Sequence, residues 1–242
     1  MSESTKVISN DTVRRLLKDV KQIIKYPLTD NGIYYIHDEN DMTKGYAMII
    51  GQIDTPYYGG YYFFSFDYPF DYPFSPPKVT YITNDGKTRF NPNLYRCGKV
   101  CVSILNTWSG DKWSSCQTIN SVLLTLCSLL NEAPLLNEPG QGKNGVDFIP
   151  YQKSIQFKNI DFAICDMIIH NNKKHQICQM FYTIMKEQFN NNYEKLIQYV
   201  KSQTKEISTE RVRIYDMNTV IDYANLETKL IETKQIIDSE NI

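Results

Sequence analysis

The chain has 242 residues, 42% of them hydrophobic, and its 26 Lys and Arg nearly balance 27 Asp and Glu for a net charge of −1. That length lies between one and two ordinary domains and carries enough apolar material for a buried core. A pI near 6.3 argues against a general binder of nucleic acid or of anionic membrane, both of which need a basic excess. Six cysteines accompany a polar start, MSESTKVISN, with no apolar leader segment. No run approaches the ~20 apolar residues of a membrane span, and the C-terminus lacks a prenylation box. The expectation is a reduced, soluble protein of the cytoplasm or nucleus, with neither a nucleic-acid nor a membrane partner.

In chain order, Asn10 is placed to cap a helix whose Val13, Leu16, Leu17, Val20, Ile23 and Ile24 fall on one stripe, with Pro27 stopping it. Its other side is basic, with Arg14, Lys18, Lys21 and Lys25 at helical spacing and Arg15 beside them. Strand-like segments follow around 33–36, 46–52, 61–66 and 78–83, punctuated by Gly59-Gly60 and Asp85-Gly86, which reads as an antiparallel meander. One face of that sheet needs a helix over it. Ile119, Val122, Leu123, Leu126, Leu129 and Leu130 supply the stripe, with Cys127 inside the packing. After Pro139-Gly140 and a polar QGKNG loop come helical patterns near 150–169, 174–201 and 217–238, while STERVR, with little apolar periodicity, reads as a surface connection. The class is α+β.

The candidate chemistry lies in Arg89 to Ser103, RFNPNLYRCGKVCVS. A thiol is the most nucleophilic uncharged side chain and needs only positioning and an electrophile. Apolar Phe90, Pro92 and Leu94 alternate with Asn91 and Asn93, and Gly98 permits a tight turn, so the run reads as a folded-back loop holding an amide near Cys101. A lone intracellular cysteine is more often a small buried hydrophobe. Cys97 does not make a metal site with Cys101, because neither Cys116 nor the histidines bring a second close pair of ligands. His170 and His175, as bases for a cysteine protease, sit in polar IIHNNKKHQ, where a solvated helix end is the ordinary explanation; His37, at a strand end, reads as structural.

NPNLYRCGKVC resembles the His-Pro-Asn loop and active cysteine of ubiquitin-conjugating enzymes, with Asn93 eight residues before Cys101. Three further motifs follow that family's order. Thr55 to Pro77 resembles its Pro-x-x-Gly-Gly hairpin and Tyr-Pro-Phe-x-Pro-Pro turn, Trp113 opens a leucine-rich helix, and the stretch ends at NEPG. Beyond Tyr151 the order of segments is similar to that of the large members that carry NPN and a longer Cys-to-Trp loop, here VSILNTWSGDK.

The resemblance implies an α+β UBC fold: an N-terminal helix, a four-stranded antiparallel meander, a central helix and C-terminal helices. It implies a core over 8–169 and a helical extension over 170–242 that selects partners rather than performing chemistry. The implied activity is transfer of ubiquitin or a ubiquitin-like modifier. Cys101 carries it as a thioester, Asn93 stabilises the oxyanion or the loop, and Glu138, alternatively a solvated loop glutamate, orients the incoming lysine or accepts its proton. Asn91 stands where most of the family has histidine, and an amide can donate and accept in its place. Arg14, Arg15, Lys18 and Lys21 are the implied docking face for an activating enzyme. Phe74, alternatively a core aromatic, and Ser115, in a loop without the family's usual proline, are the implied ligase contacts. No cofactor and no metal are expected. Two other readings remain: an inactive variant that binds ubiquitin non-covalently, and a conjugating enzyme for a related modifier.

Overall fold

The computed structural model describes residues 8–170 and 176–240. His175, the start of the expected 174–201 helix, and most of the terminal residues behind the leader and prenylation readings lie outside them.

Helix α1 (Asn10–Lys25) is capped by Ser9, one residue before the expected cap, whose hydroxyl accepts the Thr12 N–H. Its buried side is rotated from the expected stripe: Thr12, Leu16, Asp19 and Ile23 face inward, while Leu17 and Ile24 are 48% and 74% exposed. The reason is a buried polar pair. Asp19 accepts from the Arg15 guanidinium at 2.9 Å and from the Tyr72 phenol at 2.5 Å, and this satisfied network takes the place a leucine would fill.

The four-stranded sheet is an antiparallel meander of β1 (Ile33–His37), β2 (Lys44–Ile50), β3 (Tyr61–Asp67) and β4 (Lys78–Tyr81), in chain order as expected. Its register pairs Tyr34 with Met48 and Met48 with Phe63 on one face, and Ile33 with Ile49 and Ile49 with Tyr62 on the other. Two buried tyrosines here have their phenols bonded: Tyr62 donates to the Asn159 side chain and Tyr57 to the Phe90 carbonyl, whereas the buried Tyr81 phenol has no partner among the described residues.

Helix α2 (Ile119–Leu129) begins six residues beyond Trp113, set by a reciprocal capping box between Thr118 and Ser121. Trp113 therefore does not open the helix; its indole donates to the Pro73 carbonyl at 2.7 Å and pins the preceding loop. Ile119, Val122, Leu123, Leu126 and Leu130 are buried as expected, but Cys127 and Leu129 are only half-buried.

Helix α3 (Phe148–Lys158) runs on through a π-helical stretch, Asn159–Asp166, to Met167–Ile169. At the head of that stretch Asn159 bonds Tyr62 and the Tyr58 carbonyl, and a side chain at Gly60 would collide with it. Then come α4 (Gln176–Met180), α5 (Tyr182–Ser202), a hairpin of β5 (Ser208–Val212) and β6 (Met217–Ile221), and α6 (Tyr223–Ser239). The hairpin corrects two expectations. All of STERVR but its last residue, Arg213, is a strand and not a connection, and 217–221 is its partner, not the start of a helix.

These elements are built into the sheet. The Phe181 and Phe63 rings lie 6.0 Å apart, Tyr61 donates to the Met185 carbonyl, and Lys229 of α6 pairs with Asp161 and Asp166 at the end of α3. The buried apolar residues form one cluster from Leu16 to Ile237 that crosses the expected 169/170 boundary. Among the described residues no helix is long and apolar enough to cross a membrane.

Candidate active site

The loop from Arg89 to Val100 is laid along the free edge of β4. Tyr81 donates to the Gly98 carbonyl at 2.8 Å, Thr80 bridges Lys99, and Leu94 bridges Val100. Gly98, at φ 86°, makes the turn that returns the chain, a conformation costly for any residue with a Cβ. The return brings Cys101 against Asn93, as the spacing suggested.

Asn93 holds both backbone groups of Cys101. Its carbonyl accepts the cysteine N–H at 2.9 Å and its side-chain NH2 donates to the cysteine carbonyl at 2.7 Å. Its Oδ1 is buried without a hydrogen-bond partner. Asn91, fully buried, is the pivot beneath: its NH2 donates to the Tyr57 phenol at 3.0 Å and the Leu129 carbonyl at 2.7 Å, and its Oδ1 accepts the Asn93 N–H at 3.0 Å. The amide thus donates and accepts as the loop requires.

Cys101 is 3% exposed, and its thiol donates to the Thr107 carbonyl at 2.9 Å. Thr107 is fastened by its hydroxyl, which accepts from Val102 N–H and donates to Val102 carbonyl. Asn106, at φ 57°, turns the loop over the sulfur, and its side chain is tied to the Trp113 N–H. For an electrophile to reach the sulfur, Thr107 has to move.

Glu138 connects with this loop through one carbonyl: Leu129 accepts from Asn91 and also, at 3.1 Å, from Asn137. The Glu138 carboxylate accepts the Tyr215 phenol at 2.7 Å through Oε2, and among the described residues no hydrogen bond is made to Oε1.

The implied docking residues divide. Arg14, Lys18 and Lys21 are exposed along α1, flanked by the exposed Leu17 and Ile24, giving a face both basic and apolar. Arg15 is not part of it: besides Asp19, its guanidinium donates to the Ser115 carbonyl at 2.6 Å and to that of Gln117, so it ties α1 to the loop ahead of α2. Phe74 is 77% exposed, which removes the core-aromatic alternative, and Ser115 is exposed as well. Thr12 donates to the Phe70 carbonyl and Trp113 to Pro73, so α1, the Phe74 turn and the Ser115 loop are pinned together.

His170 faces Asp166 at 3.8 Å and is not placed on the thiol; His37 is half-buried on the Tyr35 phenol, and burial, against weaker opposing effects, lowers its pKa. Tyr57, Thr107 and Tyr215 were not singled out from the sequence. Tyr57 lies within the quoted hairpin motif and Thr107 within the quoted Cys-to-Trp loop, but Tyr215 is reached only by tertiary contact.

Residues 15–153 match the family described as ubiquitin-conjugating enzyme. That span contains Asn93, Cys101 and Glu138 and ends before the C-terminal hairpin. Among similar proteins, Ubiquitin-conjugating enzyme E2 Z of Xenopus tropicalis is 42% identical over 163 residues, 66% of this chain and 51% of the relative. The same-named proteins of Danio rerio and Homo sapiens are 42% identical over 163 residues and 46% identical over 157 residues, covering 66% and 64% of this chain and 49% and 44% of the relatives. The chain spans about half the length of these curated relatives. With the family match covering more than half of the sequence, and a four-stranded meander bearing the NPN loop and its cysteine, the chain belongs to the ubiquitin-conjugating enzyme family.

Proposed function

We propose that this chain accepts ubiquitin or a ubiquitin-like modifier from an activating enzyme as a thioester on Cys101 and passes it to a substrate lysine or a ligase cysteine. In the first step the Cys101 thiolate attacks the modifier's C-terminal thioester, and the activating enzyme's thiolate leaves. In the second, the lysine ammonium gives a proton to Glu138, the neutral amine attacks, the C–N bond forms, the C–S bond breaks, and the further proton lost by nitrogen passes to solvent. ATP is consumed earlier, on the activating enzyme, so this chain uses no cofactor or metal of its own.

The observation that carries the reading is Asn93 on Cys101. An amide kept within bonding range of the cysteine backbone, with its oxygen buried and unbonded, is retained at a cost in stability that a pure loop brace does not need. A donor of this kind stabilises the oxyanion formed during aminolysis. Glu138, with Oε1 free, is the group that orients the lysine and receives its proton. A groove lined by Pro76, Val79, Val100, Leu105 and Thr107 ends at the loop that covers the thiol and suits an extended chain end. The activating enzyme docks on Arg14, Lys18 and Lys21 with Leu17 and Ile24, and a ligase docks on Phe74 and Ser115. We place the protein in the cytoplasm or nucleus, without nucleic-acid or membrane partners.

Retention of both Cys101 and Asn93 disfavours a non-covalent ubiquitin-binding variant. The test is a loading assay with a panel of activating enzymes and modifiers. Loading by at least one pair is expected, and the pair that works names the modifier; no adduct with any pair overturns the proposal.

A further inference from the structure

The hairpin β5–β6 belongs to the extension, yet its tip reaches the loop that holds the cysteine. Between the strands, Arg213–Tyr215 makes a 3-10 turn closed by Asp216 at φ 45°. Buried Asp147 clamps that turn, its two oxygens accepting the Arg213 N–H at 2.7 Å and the Ile214 N–H at 3.1 Å. Tyr215 is thereby fixed between two segments of the core. Its phenol donates to Glu138 at 2.7 Å on one side, and its carbonyl accepts from the Arg96 guanidinium at 2.8 Å on the other. Its ring lies 5.7 Å from that of Tyr151, whose own phenol donates to the Arg89 carbonyl at the root of the NPN loop. The Arg89 guanidinium stacks 3.3 Å from the Tyr95 ring centroid and 5.5 Å from that of Tyr215.

A phenol donating to a carboxylate makes a charge-assisted bond, stronger and more directional than a neutral pair. Burial, and then the Glu138 carboxylate, push the Tyr215 phenol far above the ordinary tyrosine range, so its proton stays available for that bond. With Oε2 held, the side chain loses its rotational freedom and Oε1 takes a fixed direction.

We infer that Tyr215 is a positioning residue of the acyl-transfer site, holding Glu138 for the incoming amine so that the extension completes the site. This rests on the reading of Glu138 as the group that receives the lysine. It also revises the expectation that the extension only selects partners.

The test is Tyr215→Phe in the full chain, which keeps the ring contacts and the carbonyl and removes only the phenol. Thioester loading is expected to be unchanged. Discharge of preloaded enzyme to free lysine should fall about tenfold, since ångström-scale misplacement costs up to about 100-fold. Discharge to hydroxylamine, an amine already neutral at pH 7, should be unaffected. The double variant with Glu138→Gln should be no slower than Glu138→Gln alone, because Tyr215 acts only through Glu138. An equal loss with lysine and hydroxylamine, or loss of loading with a lowered melting temperature, would make Tyr215 an ordinary packing residue. Normal lysine discharge in Tyr215→Phe alongside slow discharge in Glu138→Gln overturns the inference alone. Normal discharge in Glu138→Gln overturns both it and the reading beneath it.

Discussion

Asn93→Ala separates the two roles of this amide because the structure predicts different sizes for them. The substitution removes the bond from Nδ2 to the Cys101 carbonyl and leaves that carbonyl without its donor, a loss of about 1–3 kcal/mol. It also removes Oδ1, which is buried without a partner, and relief of such a group returns about 1–3 kcal/mol. The backbone bond from Cys101 N–H to the residue 93 carbonyl survives. The two terms nearly cancel, so for a chain of this size the melting temperature should move by less than about 5 °C. Loss of an oxyanion donor, by contrast, should slow aminolysis by about 10- to 1000-fold. The assay is single-turnover discharge of preloaded enzyme to free lysine, beside a thermal melt and a loading time course. Loading should be near normal, since the activating enzyme brings its own groups to that step. A melting temperature lowered by more than about 5 °C, with loading and discharge reduced equally, would mean that the amide is a brace for the loop and nothing more.

On α1, Arg15→Ala should cost about 2 kcal/mol by leaving buried Asp19 and two carbonyls short of a donor, whereas reversing Lys18 and Lys21 to Glu should leave the melt unchanged and weaken loading in a salt-sensitive way; normal low-salt loading in the double reversal would make that face merely solvated. Thr107→Ala frees the clamp on Val102 and should speed alkylation of Cys101 about fivefold, the effect of losing about 1 kcal/mol, as followed on the Cys101 peptide; an unchanged rate would show that the loop does not gate the thiol. Burial works to raise the Asp161 carboxyl, but Lys158 and Lys229 outweigh it and hold it below its ordinary 3.8. Its stabilisation is therefore present above about pH 4 and lost as pH falls through that lowered value, so acid melts of Lys229→Ala should be less steep than those of the unaltered chain, and parallel acid limbs would refute the coupling of α6 to α3.

What was legible in the sequence is what local chemistry decides. The meander was readable because aromatic and β-branched runs such as Tyr61–Phe66 sit between glycine and proline turns, and Asn93 reaches Cys101 within a loop only eight residues long. The orientation of α1 was not, because its inward face includes Thr12 and Asp19, polar residues satisfied only by Arg15, Tyr72 and the Phe70 carbonyl. The C-terminal hairpin escaped because Glu210 and Arg211 blur one strand and Thr219 sits buried in the middle of the other, hiding the alternation of Met217 and Ile221. Tyr215 meets Glu138 across 77 residues of chain, a contact no spacing rule encodes. Nor did the sequence indicate that α4 and α5 complete the core of the sheet; truncation after Ile169 would uncover Phe63 and Tyr61, so it tests folding before it tests selectivity.

The central claim is the thioester on Cys101, and its most direct measurement is the adduct formed with activating enzyme, ATP and modifier. The unaltered chain should give a reductant-labile adduct, Cys101→Ser a reductant-resistant ester, and Cys101→Ala none. An undiminished adduct in Cys101→Ala would contradict the account and move the chemistry to another cysteine, with exposed Cys97 the first to examine.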